Sequence, residues 1–447
     1  MTQKPQKPDI GPFLENFNRF ESPLQPSWLL PLRKAGIARF LDLGFPTLQD
    51  EDWRFTNLAP LAKLPLHPAG VPATDAAAKA ALEKHLFTHL PGPRLVFING
   101  QYSPALSSVQ GLPDGVRVSN LTAALVADSE SIKKQFGLCA LTEDNAFAAL
   151  NQAFFTDGGF VQVPAGVSVA EPIQFVSIST TKQAGETIKL RNLILAGPHS
   201  RATVIESYIS TDNTAYFTNS VTEIIAGDNA ALEHVKFQDE AGAAFHLATI
   251  AAQLGRASNV SVHSFALGAK LSRTNIRTKL AGEGLECILN GLYLTRGEQL
   301  ADHHMIVEHA QPHCASHEYF NGILDDKSRG VFHGRILVRE IAQKTDAKQT
   351  NKNLLLSDDA TADTKPQLEI YADDVKCTHG ATIGQLNAES IFYLRARGIG
   401  EDNARRMLIH AFAGEIIARV KHDSVRGELD RLVWDRLEAN HHLAQKN

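Results

Sequence analysis

Apolar and polar side chains alternate in short runs through the middle of the chain, from about residue 159 to about residue 385. These runs are rich in Val, Ile, Thr and Ser, and glycine turns separate them. Alternation with a period of two is typical of β-strands that bury one face. No helix of any length fits between the turns, so the pattern predicts a mainly β core.

The glycine turns recur at a nearly constant interval. The intervals are 30, 28 and 27 residues, for the turns at Gly197, Gly227, Gly255 and Gly282. Alternating runs follow them, at residues 202–209, 231–237, 259–265 and 286–294. Repeats of about 20–50 residues are typical of solenoids, whereas an antiparallel sandwich places turns about every 8–12 residues without a longer period. The spacing favours a β-helix whose turns pack on one another, with the sandwich as the main alternative.

Helical spacing of apolar residues marks both ends of the chain. Before the core it predicts helices and one short strand, with the helices at residues 13–20, 28–43, 73–90 and 145–155 and the strand at 94–99. After the core, Asn387 is a suitable N-cap for a first helix, and two more follow at residues 401–420 and 424–443. The apolar face of this last pair either packs on the core or docks another subunit.

Three parts are therefore predicted. They are an N-terminal helical region with short strands (1–158), a β-helix core (159–385) and a C-terminal helical domain (386–447).

Composition narrows the function classes. The 447 residues carry a formal net charge of -5 and no long basic run, so nucleic acid is not an expected partner. No stretch reaches the roughly 18 consecutive apolar residues of a membrane helix, and the first dozen residues lack the apolar region of a secretion signal. The widely spaced cysteines form no Cys-x-x-Cys pair, which fits a reduced cytoplasmic setting. They are Cys139, Cys287, Cys314 and Cys377.

The best candidate for chemistry is the pair Cys377 and His379, in the segment DDVKCTHG at residues 373–380. Side chains two positions apart on a strand point to one face, so the thiol and the imidazole would stand together. A closed metal site takes four protein ligands and an open one takes three, so this pair is half a site. An ordinary buried cysteine is the competing interpretation.

Histidines are densest between His303 and His317, but alternation divides them between two faces. One set comprises His303, His309, His313 and His317, while His304 and Cys314 fall on the other parity. Stacked polar side chains along the solenoid are therefore expected here rather than a metal site. Phosphate-binding, dinucleotide-binding, zinc-protease and serine-elbow motifs are all missing, so no catalytic residues are assigned.

Several longer segments resemble one protein family. They are EDWRFT at 51–56, DHH at 302–304, EH at 308–309, PHC at 312–314, RGVFHG at 329–334, the stretch 366–380 and FYLRARGI at 392–399. Together they resemble the SufB/SufD family of iron–sulfur cluster assembly proteins, over most of the chain. The segments at 51–56 and 372–380 favour the SufD branch over the SufB branch.

The resemblance implies a right-handed parallel β-helix between two helical regions. It also implies a non-catalytic scaffold subunit that pairs with SufB through the β-helix and binds the SufC ATPase through its C-terminal helices. Cys377 and His379 match positions tied to a transient iron–sulfur cluster, or iron, at the interface with SufB, and no cofactor is expected to be bound tightly by the isolated chain. A contribution to iron acquisition and a homodimer of the isolated chain are further expectations.

Two other function classes stay open at this point. One is a free-standing β-helix enzyme that acts on a polysaccharide, against which the missing secretion signal and the lack of evident in-register carboxylates speak. The other is a metal-dependent hydrolase that uses the histidines between residues 303 and 317.

Overall fold

The computed structural model describes residues 11–19, 26–71, 75–140 and 142–444. Parts of the expectations fall outside these residues: the predicted helix end at Phe20, the predicted helix start at Ala73, and the first ten residues considered for a secretion signal.

Two sheets of parallel strands form the core, and the chain passes from one sheet to the other after every strand. Sheet A holds the odd-numbered strands, namely β5 (Gly159–Val163), β7 (Glu186–Ala196), β9 (Phe217–Ala226), β11 (Phe245–Leu254), β13 (Leu271–Leu280), β15 (Leu300–His309), β17 (Arg329–Val338) and β19 (Thr361–Ile370). Sheet B holds the even-numbered strands, namely β6 (Ile173–Ser179), β8 (Arg201–Ser210), β10 (Ala231–Asp239), β12 (Asn259–Ala266), β14 (Glu286–Thr295), β16 (Ala315–Leu324), β18 (Asp346–Leu355) and β20 (Lys376–Gly384). This is a parallel β-solenoid of about eight turns, which confirms the β-helix and excludes the antiparallel sandwich. Its right-handed sense stays a prediction.

The periodic glycines form a stacked corner between the two sheets. Backbone N–H groups of Gly227 and Gly255 donate to the carbonyls of Ala196 and Ala226 on the preceding turn, both at 2.8 Å. A Cβ at Gly282 would lie 2.1 Å from the backbone nitrogen of Arg256, so a side chain there would push the turns apart. Close backbone approach between successive turns therefore explains why glycine recurs with the period of the solenoid.

The N-terminal region packs on the outer faces of both sheets, mainly sheet A, and adds strands to the first turns. Its helices are α1 (Gly11–Arg19), α2 (Leu29–Leu43), α3 (Ala59–Ala62), α4 (Ala76–Lys84), α5 (Leu121–Ala127), α6 (Ser129–Lys133) and α7 (Ala146–Phe154). Its strands are β1 (His67–Pro68), β2 (Arg94–Ile98), β3 (Gln101–Tyr102) and β4 (Arg117–Asn120). Because β2 pairs with β6 and β4 pairs with β5, both sheets begin before residue 159.

One predicted helix is shorter than expected. Helix α4 ends at Lys84 rather than near residue 90, because His85 turns to an extended conformation. The buried His85 ring contacts the Ser207 hydroxyl at 3.1 Å, and Phe87 packs edge-on against Phe237. Tertiary contacts with sheet B thus override the helical propensity of this segment.

Three C-terminal helices follow the solenoid, α8 (Ala388–Arg395), α9 (Glu401–Ile417) and α10 (Asp423–Ala444). Asn387 caps α8 as predicted, since its side chain accepts hydrogen bonds from the backbone N–H groups of Glu389 and Ser390. Apolar side chains of α9, including Ile409 and Ile416, pack on the outer face of sheet B. No helix in the described part of the chain is both long and apolar enough to cross a membrane.

Polar side chains occur inside the solenoid as well as on its surface. Glu206 contacts His234 at 2.9 Å, and Glu240 contacts His246 at 2.7 Å, all four being almost completely buried. Beside them, burial lowers the pKa of the Lys236 ammonium to about 8. Pairing of this kind is what makes buried ionisable groups tolerable in a low-dielectric interior.

Candidate functional site

The last turn of the solenoid, β19 and β20, ends both sheets. Strand β19 pairs with β17 and strand β20 pairs with β18, and each is the terminal strand of its sheet in the described chain. Residues of β19 are mostly half-buried and those of β20 are mostly exposed, in contrast to the buried strands earlier in the solenoid. An uncovered strand edge offers a row of backbone donors and acceptors to another chain.

Cys377 and His379 both lie on this terminal strand, on the face that points into the solenoid. Cys377 stands opposite Ala347 and His379 opposite Gln349 on β18. Cys377 packs with the inward-facing Ala347, Ile336 and Val338, which fixes the orientation of the alternating strand. The structure thus places the thiol and the imidazole on one face, at the open end of the coil.

The two side chains differ in exposure. His379 is exposed, whereas Cys377 is half-buried. Burial, with a smaller contribution from the Asp346 carboxylate, raises the pKa of the Cys377 thiol, so the isolated chain holds it protonated at neutral pH. Metal ligation requires the thiolate, so binding would release a proton and would need a positive charge at the site.

A polar column continues from His379 into the solenoid. Gln349, its neighbour on β18, donates a hydrogen bond from Nε2 to Oε2 of Glu318 on β16 at 2.6 Å. Glu318 is fully buried, and burial raises its pKa to about 8. The carboxyl behind the open end is therefore mostly protonated at neutral pH and adds little negative charge to the site.

In the described residues, one group of three potential metal ligands lies close together, and it does not include Cys377 or His379. Asp52, His304 and His333 have one ligand atom each within 4.8 Å of the others. Cys377 and His379 belong to no such group of three in the described chain. Any metal held by Cys377 and His379 would need further ligands from outside.

The predicted division of the histidines between residues 303 and 317 holds within β15 but not beyond it, because the turn before β16 resets the alternation and turns Cys314 inward and His317 outward. His303 and His309 point into the solenoid, where their Nε2 atoms contact the hydroxyls of Ser264 and Ser316 at 2.9 and 2.8 Å. His313 is exposed at a corner, and His317 is half-buried on the outer face of β16. The expected stacked polar arrangement therefore describes His303 and His309.

His304 points outward from sheet A and meets His333, a residue to which the sequence analysis gave no separate role. The two residues are register partners on β15 and β17, and their ring centroids lie 4.2 Å apart. Asp52, from the N-terminal region, lies above both rings. The sequence does contain a signal for this pair: His304 and His333 are 29 residues apart, which is close to the length of one turn of the solenoid.

Exposed apolar side chains cluster near the open end and on the first C-terminal helix. Ile370, Tyr371 and Ile383 are 39%, 62% and 50% exposed at the last turn. Phe392 and Tyr393 on α8 are 73% and 56% exposed. Large apolar side chains grouped on a surface are typical of protein–protein contacts.

Comparison with known proteins identifies the family. A family model described as "SUF system FeS cluster assembly, SufBD core domain" matches residues 178–412, and one described as "SufBD protein N-terminal region" matches residues 24–175. An iron-sulfur cluster assembly SufBD family protein of Synechocystis is 36% identical over 91% of this chain and 90% of its own length. The iron-sulfur cluster assembly proteins SufD of Escherichia coli and Bacillus subtilis are 33% and 27% identical, over 91% and 93% of this chain and 93% and 95% of their own lengths.

These matches cover both the solenoid and the region before it. The chain belongs to the SufBD family of iron–sulfur cluster assembly proteins of the SUF system.

Proposed function

We propose that this chain is a non-catalytic scaffold subunit that pairs with a SufB chain through the open end of its solenoid. A nascent iron–sulfur cluster, or iron, would be held transiently between the two chains, with Cys377 and His379 as this chain's ligands. The SufC ATPase would bind through the C-terminal helices. A cytoplasmic location, a contribution to iron acquisition and a homodimer of the isolated chain belong to the same proposal.

The observation that carries the proposal is the position of Cys377 and His379 on the inner face of an uncovered terminal turn. A partner strand that adds to β20 would continue sheet B and bring its own inward side chains next to this pair. Iron–sulfur clusters need about four protein ligands, so two from each chain would complete the site. Because the site would lie between two chains, separating them would open it.

The C-terminal helices offer a second surface. Helices α9 and α10 bury one side against sheet B, but Phe392 and Tyr393 on α8 stay exposed. Arg397 stacks its guanidinium over the Tyr393 ring at 3.4 Å, which holds the ring in place. Exposed aromatic and arginine side chains are the residue types that contribute most at protein interfaces.

ATP-driven motion of the bound ATPase would link the two surfaces. Because the C-terminal helices pack on the solenoid, a rigid-body motion of the ATPase would be transmitted to the terminal turn. We propose that this motion opens the facing strands and releases the cluster.

Co-expression with SufB and SufC subunits tests the assembly. A tag on this chain is expected to recover both partners. Substitution of Phe392 and Tyr393 by serine should reduce recovery of the ATPase subunit by about tenfold or more while SufB recovery stays unchanged, since truncating central interface aromatics costs about 2 kcal/mol or more each. Val71→Ser, at a position 73% exposed in the N-terminal region, is the matched control. Recovery of neither partner by the unmodified chain would refute the proposed assembly.

A further inference from the structure

We propose that Asp52, His304 and His333 form a binding site for a divalent first-row transition ion of the Fe(II) or Zn(II) type. The site lies on the outer face of sheet A, whereas Cys377 and His379 lie on the inner face of sheet B. It is therefore separate from the proposed cluster site and does not depend on a partner chain.

The solenoid itself sets the two imidazoles side by side. His304 and His333 are register partners on adjacent parallel strands, so the spacing of their backbones is fixed by the sheet. Both side chains are at most 9% exposed, which restricts their rotation. Metal sites need ligands held in place before the ion binds, and two preoriented imidazoles meet that requirement.

Distances to the carboxylate fit an ion between the three groups. Oδ1 of Asp52 lies 3.8 Å from Nε2 of His304 and 3.9 Å from Nδ1 of His333. These separations are too long for hydrogen bonds. Ligand atoms about 2.0–2.2 Å from a tetrahedral ion stand about 3.4 Å apart, so the Asp52 carboxylate would have to approach each ring by a few tenths of an ångström. The Asp52 side chain is 55% exposed and free to make that movement.

The backbone that carries Asp52 is anchored on sheet A. Nη1 of Arg273 donates to the Asp52 carbonyl oxygen at 2.8 Å, and the same guanidinium stacks on the Trp53 ring at 3.8 Å. Thr56 donates to the buried Asp302 carboxylate at 2.5 Å. The segment from residue 52 to residue 56 is thus held over β15, and Asp52 is presented to the rings.

A neighbouring amide orients one of the rings. Nε2 of His333 lies 3.5 Å from Oε1 of Gln367, which accepts a hydrogen bond from this nitrogen in the tautomer that carries the proton there. In that tautomer Nδ1 is unprotonated, and it lies 3.9 Å from Oδ1 of Asp52. Metal-bound histidines are usually held in this way by a second group on the other ring nitrogen.

Each nearby cation is paired with an acid, which weakens its repulsion of an added ion. Arg273 pairs with Asp302 at 2.6 Å, Arg277 with Asp144 at 2.7 Å and Arg335 with Glu369 at 3.7 Å. Lys365 pairs with Glu51. The ion-pair contacts of Asp52 are to the two histidine rings, so its charge remains to balance a bound cation. Two imidazoles and one carboxylate are a ligand set typical of Fe(II) and Zn(II).

Anaerobic titration of the full-length chain with Co(II) tests the site, with the visible absorption of nitrogen-ligated Co(II) as the readout. The Cys377→Ala/His379→Ala chain serves as the parent protein, so that those residues cannot supply the signal. One Co(II) per chain is expected, displaced by Zn(II). Asp52→Asn and His333→Ala should each weaken binding by about 10- to 100-fold.

Two substitutions serve as matched controls. Asp42→Asn removes an exposed carboxylate on α2 of the same N-terminal region, and His89→Ala removes an exposed imidazole paired with Glu428. Both should leave the Co(II) affinity unchanged. The site is refuted if the parent chain shows no saturable binding, or if Asp52→Asn and His333→Ala bind Co(II) as tightly as the parent. Because Asp52 is an exposed side chain, its substitution leaves folding intact and keeps either result interpretable.

Discussion

Replacing Cys377 by alanine is expected to lower the iron and acid-labile sulfide of the purified complex by about tenfold or more, without loss of either partner subunit. His379→Ala should act in the same direction. The thiol and the imidazole would be the two ligands that this chain supplies, so removing one leaves a coordination position without a ligand. Both quantities are measured by chemical analysis of the anaerobically purified complex.

Thr378→Ala is the matched control, because Thr378 lies between the two residues on the same strand and points to the opposite face. It should leave iron and sulfide unchanged. Loss of the partner subunits in Cys377→Ala would mean instead that the thiol is a packing residue of the last turn, since it contacts Ala347 and neighbouring apolar side chains.

Arg191→Met is expected to destabilise the fold by about 3–5 kcal/mol, because it leaves a buried carboxylate without its counter-charge. Arg191 on β7 pairs with Glu223 on β9 at 2.5 Å, and both side chains are fully buried. Glu223 also accepts from the backbone N–H of Gly137 at 3.1 Å, so the pair attaches the N-terminal region to sheet A. Urea unfolding followed by circular dichroism measures the loss.

The control for that change is Lys182→Ala, which breaks a surface pair with Asp212 and should cost about 1 kcal/mol or less. Adding Glu223→Gln to Arg191→Met should recover part of the loss, because the amide is neutral and still accepts from Gly137. A cost for Arg191→Met no larger than that for Lys182→Ala would show that Glu223 is compensated by other groups.

Much of the fold was predictable because every turn of the solenoid has the same steric requirement at its corner. Each turn must pass the same narrow corner, so glycine recurs at Gly227, Gly255 and Gly282 with the period of the coil. The helix N-cap at Asn387 was also predictable from the sequence, because it depends only on hydrogen bonds to the next few residues. The sequence did not show that each repeat divides into two strands on two different sheets. Alternation indicates where strands lie, but it does not indicate which sheet each strand joins. The proposed boundary between domains at residue 158 stays a prediction.

The two candidate sites differ in how much the sequence reveals of them. Cys377 and His379 are two positions apart on one strand, so alternation alone sets their common face. The other site joins His304 to a residue one turn later and to Asp52 from the N-terminal region. Only the register of sheet A and the anchoring of residues 52–56 bring those three together, and neither is set by local spacing.

The most direct test of the shared site is the rate at which iodoacetamide alkylates Cys377 in the isolated chain, diluted until it is monomeric, and in the assembled complex. Mass spectrometry of the digested protein follows each cysteine separately. The internal reference is Cys139 of the N-terminal region, whose backbone N–H donates to the Glu223 carboxylate of β9. If Cys377 faces a partner chain, its rate should fall by about tenfold or more on assembly while the rate of Cys139 stays constant. Equal rates for Cys377 in the two states would contradict an interface at the open end of the solenoid.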